Sequence, residues 1–246
     1  MRQWFLRYQL PDGGLNCDEK AYTKPVPKSS IVTTLPCLEA VLFCRNRELT
    51  REETAFLDKG AAYLLRHKLF RKASSGEIID KDWLEVRFPR FYKYDFLRGF
   101  YFLAKWRQQS GFIIPDELAD EVEELVLRQM TAEGLVLRRY NLFDKRSYNH
   151  GADGVWAWGE ASEFNLMKAN SFDGCVCYPL TRKWDEVKPK MAEVTESYET
   201  IYKAAELTAV AGERLKVYCQ ESGWCWSRNK IGASSWIPAK NLKVVP

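Results

Sequence analysis

The sequence predicts a two-part chain of the multi-domain α + β class: a helical domain over residues 1–190, irregular from 135 to 190, then a small all-β barrel over 197–246. Three observations predict it. Segments before about residue 130 carry apolar residues at helical spacing, with start and stop signals at their ends. After Gly212 the pattern changes to short alternating runs punctuated by Gly223 and Gly232, as in small barrels. Between them "WDEVKPKMAEV" mixes charge with Pro189, which reads as a linker near 185–196.

In chain order, "MRQWFLRY" reads as a helix that runs into the turn "QLPDGGLNCD". "SSIVTTLPCLEAVLFCRN" opens on a capping serine, with Pro36 near its first turns or kinking it. "TREETAFLDKGAAYLLRHKLFRK" starts with Thr50 and has Glu53 three residues on, a capping box; Phe56, Leu57, Ala61, Leu64 and Leu65 mark its apolar face. "YKYDFLRGFYFLAKWRQQSG" is a helix ending at Gly111. "PDELADEVEELVLRQMTAEG" starts at Pro115, is acidic early and ends before Gly134. A shorter helix is expected from about Trp158. In the last part "ERLKVYCQ" alternates Leu215, Val217 and Cys219, "GWCWSRN" puts Trp224 and Trp226 on one face, and "ASSWIPAKNLKVV" is a third strand followed by a turn.

The 246 residues carry 37 basic and 33 acidic side chains, a net charge of +4. That gives no concentrated basic patch, so nucleic acid is not an expected partner. The densest basic run, "LLRHKLFRK", has the spacing of a solvated helix face. No stretch approaches the roughly 20 apolar residues of a membrane span, and no signal-peptide core opens the chain. A cytoplasmic protein is the expectation. The 7 scattered cysteines are odd in number, which argues for reduced thiols rather than a disulfide framework.

Two segments share a pattern: Lys59-Gly60 with Tyr63-Leu64, and Arg98-Gly99 with Phe102-Leu103, the glycines 39 residues apart. "FLRYQLPDGG" gives a third, imperfect copy. A helix-interior glycine costs about 1 kcal/mol relative to alanine, so its recurrence suggests close helix–helix approach. This pattern resembles the QW repeat of the terpenoid cyclase and protein prenyltransferase superfamily, an α/α toroid. The resemblance implies that Gln9 ties one helix to the next turn. It also implies that Asp12, Asn16, Cys17 and Asp18 stand at the rim of a central cavity, where they are ligand-binding candidates. The acid motif of the cyclases is absent, since the sequence has no Asp-Asp pair. Asp173-Gly174-Cys175 resembles two zinc ligands of the prenyltransferases, but His67 and His150, the only histidines, lie upstream. A catalytic zinc needs three protein ligands, so no metal or other cofactor is expected, zinc being the one candidate through Asp173 and Cys175. The helices are too few for a closed ring, which leaves a half-ring, a homodimer or a rearranged monomer.

Ten aromatics lie between Trp83 and Trp106. They read either as a buried helix or as a cavity wall able to hold cations. Trp83 and Tyr94 are ligand-binding candidates, and Tyr94, Asp95 and Arg98 candidate catalytic groups, with Asp95 and Arg98 spaced to pair on one helix face. "SYNHGADGVWAWGEASEF" adds His150 as an acid–base candidate, with Trp156 and Trp158 as a binding ledge.

"ELTAVAGERLKVYCQESGWCWSRNKIGASSWIPAKNL" resembles a Src-homology-3 barrel at Glu206-Leu207-Thr208, Gly212-Glu213, Trp224, Trp236-Ile237-Pro238 and Leu242. The resemblance implies a peptide groove at Tyr202, Trp224, Trp236 and Pro238. The acidic loop between the first strands and the tyrosine that follows the proline are missing. Together these readings predict a non-catalytic interaction or scaffold protein with a protein partner or a second copy of itself. The alternative is an enzyme or carrier for a hydrophobic, isoprenoid-like small molecule.

Overall fold

The computed structural model describes residues 2–90, 93–137, 146–160, 174–199 and 206–245. Helices α1 (Arg2–Arg7), α2 (Glu19–Tyr22), α3 (Ile31–Phe43), α4 (Arg51–Arg66), α5 (Phe96–Ser110), α6 (Asp116–Leu127) and α7 (Tyr178–Val187) make up one part. Strands β5 (Lys190–Val194), β6 (Arg214–Glu221), β7 (Trp224–Arg228), β8 (Ser234–Pro238) and β9 (Leu242–Val244) form an antiparallel sheet in the order β8-β7-β6-β5-β9. Two short 3-10 helices (Lys81–Leu84 and Ala239–Asn241) and two small hairpins are also described: β1 (Met130–Thr131) with β2 (Gly134–Leu135), and β3 (Arg146–His150) with β4 (Trp156–Glu160). Among the described residues no helix is long and apolar enough to cross a membrane.

The helix signals act as read. Ser30 caps α3, accepting from Thr33 N, and Pro36 is carried inside that helix. Thr50 and Glu53 close a reciprocal capping box on α4. Gly111 ends α5 in the left-handed conformation, φ 69°. The Pro-Asp-Gly-Gly turn is held from both sides. Gln9 Nε2 donates to Gly13 O at 2.8 Å and to Phe56 O of α4 at 2.9 Å. Gly13, at φ 94°, lies so close to α4 that a Cβ would stand 2.3 Å from Lys59 O. Gly60 is the close helix approach that its pattern suggests: a Cβ there would meet Leu38 Cδ2 of α3 at 2.3 Å.

α5 lies against α3, α4, α6 and α7. Its Phe96, Phe102 and Trp106 are at most 1% exposed and pack with Leu35, Leu38 and Leu57 of α3 and α4. The aromatics of α5 are therefore largely core, which follows from apolar residues on nearly every face of the helix.

Several expectations need correction. α5 starts at Phe96, because Asp95 caps it. α6 stops at Leu127, and Gly134 belongs to the β1–β2 hairpin rather than to a helix end. Trp158 sits mid-strand in β4, opposite Tyr148, and the rest of the segment expected to hold a shorter helix lies outside the described residues. The supposed linker is helix α7 followed by β5, which pairs with both β6 and β9. The sheet thus begins at Lys190, upstream of the expected boundary at 197.

Candidate functional site

The sheet carries an open aromatic surface with adjoining charge. Ser222 and Gly223, at φ 47° and 83°, form the two-residue turn between β6 and β7. Positive φ at both central residues matches the twist of the flanking strands. The turn sets Glu221 directly opposite Trp224. Trp224, Trp236 of β8, Glu206, Glu221 and Ser222 line an open depression of about 330 Å³. Tyr198 stands edge-on to Trp224 at 6.1 Å. Its hydroxyl donates to Glu206 Oε2 at 2.6 Å, and that bond to a carboxylate pushes the phenol up to about 12. Pro238 is buried beside Trp224 rather than lining the depression, and Tyr202 lies outside the described residues.

The neighbouring part of the sheet is covered by α6. Trp226 Nε1 donates to Asp116 Oδ1 at 2.9 Å, and Tyr218 Oη to Asp120 Oδ1 at 3.0 Å. Lys216 Nζ sits 2.7 Å from Asp120 Oδ1 and also pairs with Glu123. Arg228 pairs with Asp116 at 3.2 Å and with Asp120. Burial opposes ionisation of Asp120, but the hydrogen bonds from Lys216 and Tyr218 win and hold it below the usual carboxylate range. Trp236 packs edge-on against Trp226 at 5.5 Å. One end of the sheet face is thus consumed by α6 and the Trp224 end is left open. The i, i+4, i+7 spacing of Asp116, Asp120 and Glu123 is the sequence signal that marks this interface, and sequence reasoning missed it.

The other candidates fall elsewhere, in separate places of the structure, with ring contacts joining Trp83 to Tyr94 and His150 to Trp156. Asp12 accepts from Gly14 N at 3.2 Å and Ser29 N at 3.1 Å, which fixes its own turn. Asn16 donates to Lys28 O and accepts from Asp18 N, while Asp18 caps α2; Cys17 between them is exposed. Trp83 meets Tyr94 edge-on at 4.7 Å. Tyr94 is buried and donates to Leu69 O at 2.9 Å; burial, with Asp95 adding to it, raises its phenol well above the ordinary range.

Asp95 and Arg98 do not pair through their side chains as expected. Asp95 is fully buried, bonded to Arg90 Nε at 2.7 Å and to the backbone N–H of Arg98 at 2.8 Å. The Arg98 guanidinium turns instead to Glu39 of α3. A buried cap with its lone pairs taken has a structural job. Within the β3–β4 hairpin, His150 lies 5.1 Å from the Trp156 ring, and Trp156 and Trp158 are 56% and 63% exposed. Cys175 is exposed, Asp173 lies outside the described residues, and among the described residues no group of three or more His, Cys, Asp or Glu could hold a metal.

No family model and no curated protein matches the chain. Solved structures do match over part of it. The C-terminal SH3 domain of myosin IB from Entamoeba histolytica, bound to an EhFP10(GEF) peptide, is 20% identical with a TM-score of 0.23, covering 24% of this chain and 97% of that one. A second structure of the C-terminal SH3 domain of myosin IB from Entamoeba histolytica gives 19% identity and a TM-score of 0.22, covering 24% and 95%. CED-2 gives 15% identity and a TM-score of 0.23, covering 46% and 74%. The chain is similar in fold to SH3 domains over a small part of its length.

Proposed function

We propose that the protein is a non-catalytic docking protein. Its helical unit, read as part of an α/α toroid, carries a Src-homology-3-like sheet, and the sheet takes an extended peptide in the Trp224–Trp236 depression. The toroid reading draws on α5, which lies against α3 and α7 as well as against its chain neighbours α4 and α6. The observation that carries the docking reading is the depression itself: two indoles flanked by Glu206 and Glu221 on the part of the sheet that α6 leaves open. Indole faces suit proline rings and apolar side chains. The carboxylates and the ring faces together favour a cationic side chain on the ligand.

The test is fluorescence anisotropy on the full chain, with a labelled proline-rich decapeptide bearing one arginine and an arginine-free version of it. The expected result is saturable binding, weaker without the arginine, and weakened about tenfold or more by Trp224→Ala. No saturable binding to either peptide, or a Trp224→Ala variant that binds as well as the parent, overturns the reading.

A further inference from the structure

We propose that the cavity between α5 and the sheet binds a small apolar carboxylate, with the carboxylate held by Arg107. The cavity encloses about 350 Å³. That lies at the lower end of the roughly 300–1,000 Å³ typical of ligand pockets. Its apolar wall comes from both parts of the chain: Phe100 and Ala104 of α5, Ile114 before α6, Val187 at the end of α7, and Val217 and Leu242 of the sheet. Neither Trp224 nor Trp236 lines it, so it is a different site from the peptide depression, sharing Glu221 alone.

Arg107, in the last turn of α5, is half-buried in this wall. Its one side-chain partner among the described residues is the Cys219 thiol, 2.6 Å from Nη2. Burial pushes that thiol up and outweighs the opposing pull of Arg107, so it stays neutral and supplies no counter-charge. A half-buried guanidinium facing a neutral sulfur is costly unless an anion reaches it, and the planar fork suits a carboxylate.

The other charges on the wall leave the balance positive. Glu186 is held by Lys105 at 2.9 Å, and by the Tyr101 hydroxyl at 2.9 Å. Lys188 is held by Asp185 at 2.6 Å. Arg107 and Lys190 then stand against Glu221. An apolar body with one carboxylate satisfies both halves of the site.

The experiment is isothermal titration calorimetry of the full chain with octanoate and with 1-octanol. Octanoate is expected to bind saturably at one site, about tenfold or more tighter than octanol, the worth of one charge-assisted contact. Arg107→Met keeps the apolar stem of the side chain. It is expected to remove the preference while leaving octanol binding and the thermal midpoint unchanged. Absence of saturable octanoate binding overturns the proposal, and so does equal affinity for octanoate and octanol. Both are read on the unmutated protein and do not depend on how the variant folds. An Arg107→Met protein that still prefers octanoate overturns the assignment to Arg107.

Discussion

Glu53 shows how much one side chain can organise. It is the third residue of α4, and its side chain is 3% exposed. Its oxygens accept from Arg47 Nη1 at 2.8 Å and Nη2 at 2.9 Å, from Arg2 Nη1 of α1 at 3.1 Å, and from Thr50 N at 3.0 Å. Three segments are thereby tied to one helix start. Arg47 is the main cause, opposed by burial, of an acid held down to about 2 from an ordinary 4.5. A carboxyl whose folded value is depressed adds stability above its unfolded value and loses it as pH falls through the folded one. Its contribution is therefore complete above about pH 5 and fades toward about pH 2. Glu53→Gln should cost about 1.5–3 kcal/mol at pH 7. The gap to the parent should shrink by more than half at pH 2.5, read as urea midpoints at both pH values. A gap that stays constant with pH would show that the charge is not what Glu53 contributes.

At the scale of elements, the contact between α6 and the β6–β7 pair decides how the sheet is held. Asp120 receives Lys216, Tyr218 and Arg228 together, and Asp116 receives Trp226 and Arg228. Asp120→Ala leaves two partly buried cations without their shared partner and should cost about 2 kcal/mol. Hydrogen exchange should speed up in β6 and β7 more than in α4, which packs on α1, α3 and α5. Equal protection of β6 and β7 in the variant and the parent would remove Asp120 as the anchor.

The same elements show what could be read beforehand and why the rest could not. α3 and α4 were legible because Ser30, Thr50 and Glu53 are local signals acting within a few residues of themselves. β6 and β7 were legible because turn and alternation sit side by side. α7 was not: its buried Leu180, Trp184 and Val187 are spread among charges, and no capping side chain opens it. β5 carries Lys190 and Glu193 among its five residues, and only its partners β6 and β9 make it a strand. Asp95 looked like an acid in an aromatic pocket. The local signal that it was a cap, an Asp just before an apolar helical run, was available and outweighed. Trp224 was legible as a strand residue because the Ser222-Gly223 turn fixes its place, whereas the Arg107 cavity is made by segments over 100 residues apart and leaves no local trace.

At the scale of the whole molecule, the question is whether the sheet is an independent unit. Its own core is small: Val194, Leu207, Ala209, Leu215, Cys225 and Ile237. Domains near 60 residues bury only about 60% of their unfolded surface and are marginal. Val194 and Ala192 come from β5, each 1% exposed, and β5 lies between β6 and β9. A fragment of residues 197–246, cut where the composition changes, loses that strand and leaves β9 with no partner. It should give a collapsed amide spectrum without strand dispersion. A fragment of 188–246 keeps all five strands but loses α6, so Lys216, Tyr218 and Arg228 return to water at modest cost, while Trp226 gives up its carboxylate acceptor. It should show a dispersed spectrum and melt well below the full chain. Dispersion in the 197–246 fragment would mean that the sheet closes without β5 and that its pairing in the intact protein is incidental. Collapse of both fragments would mean that the sheet depends on α6 to fold. In that case the Trp224 depression exists only when the helical unit is present.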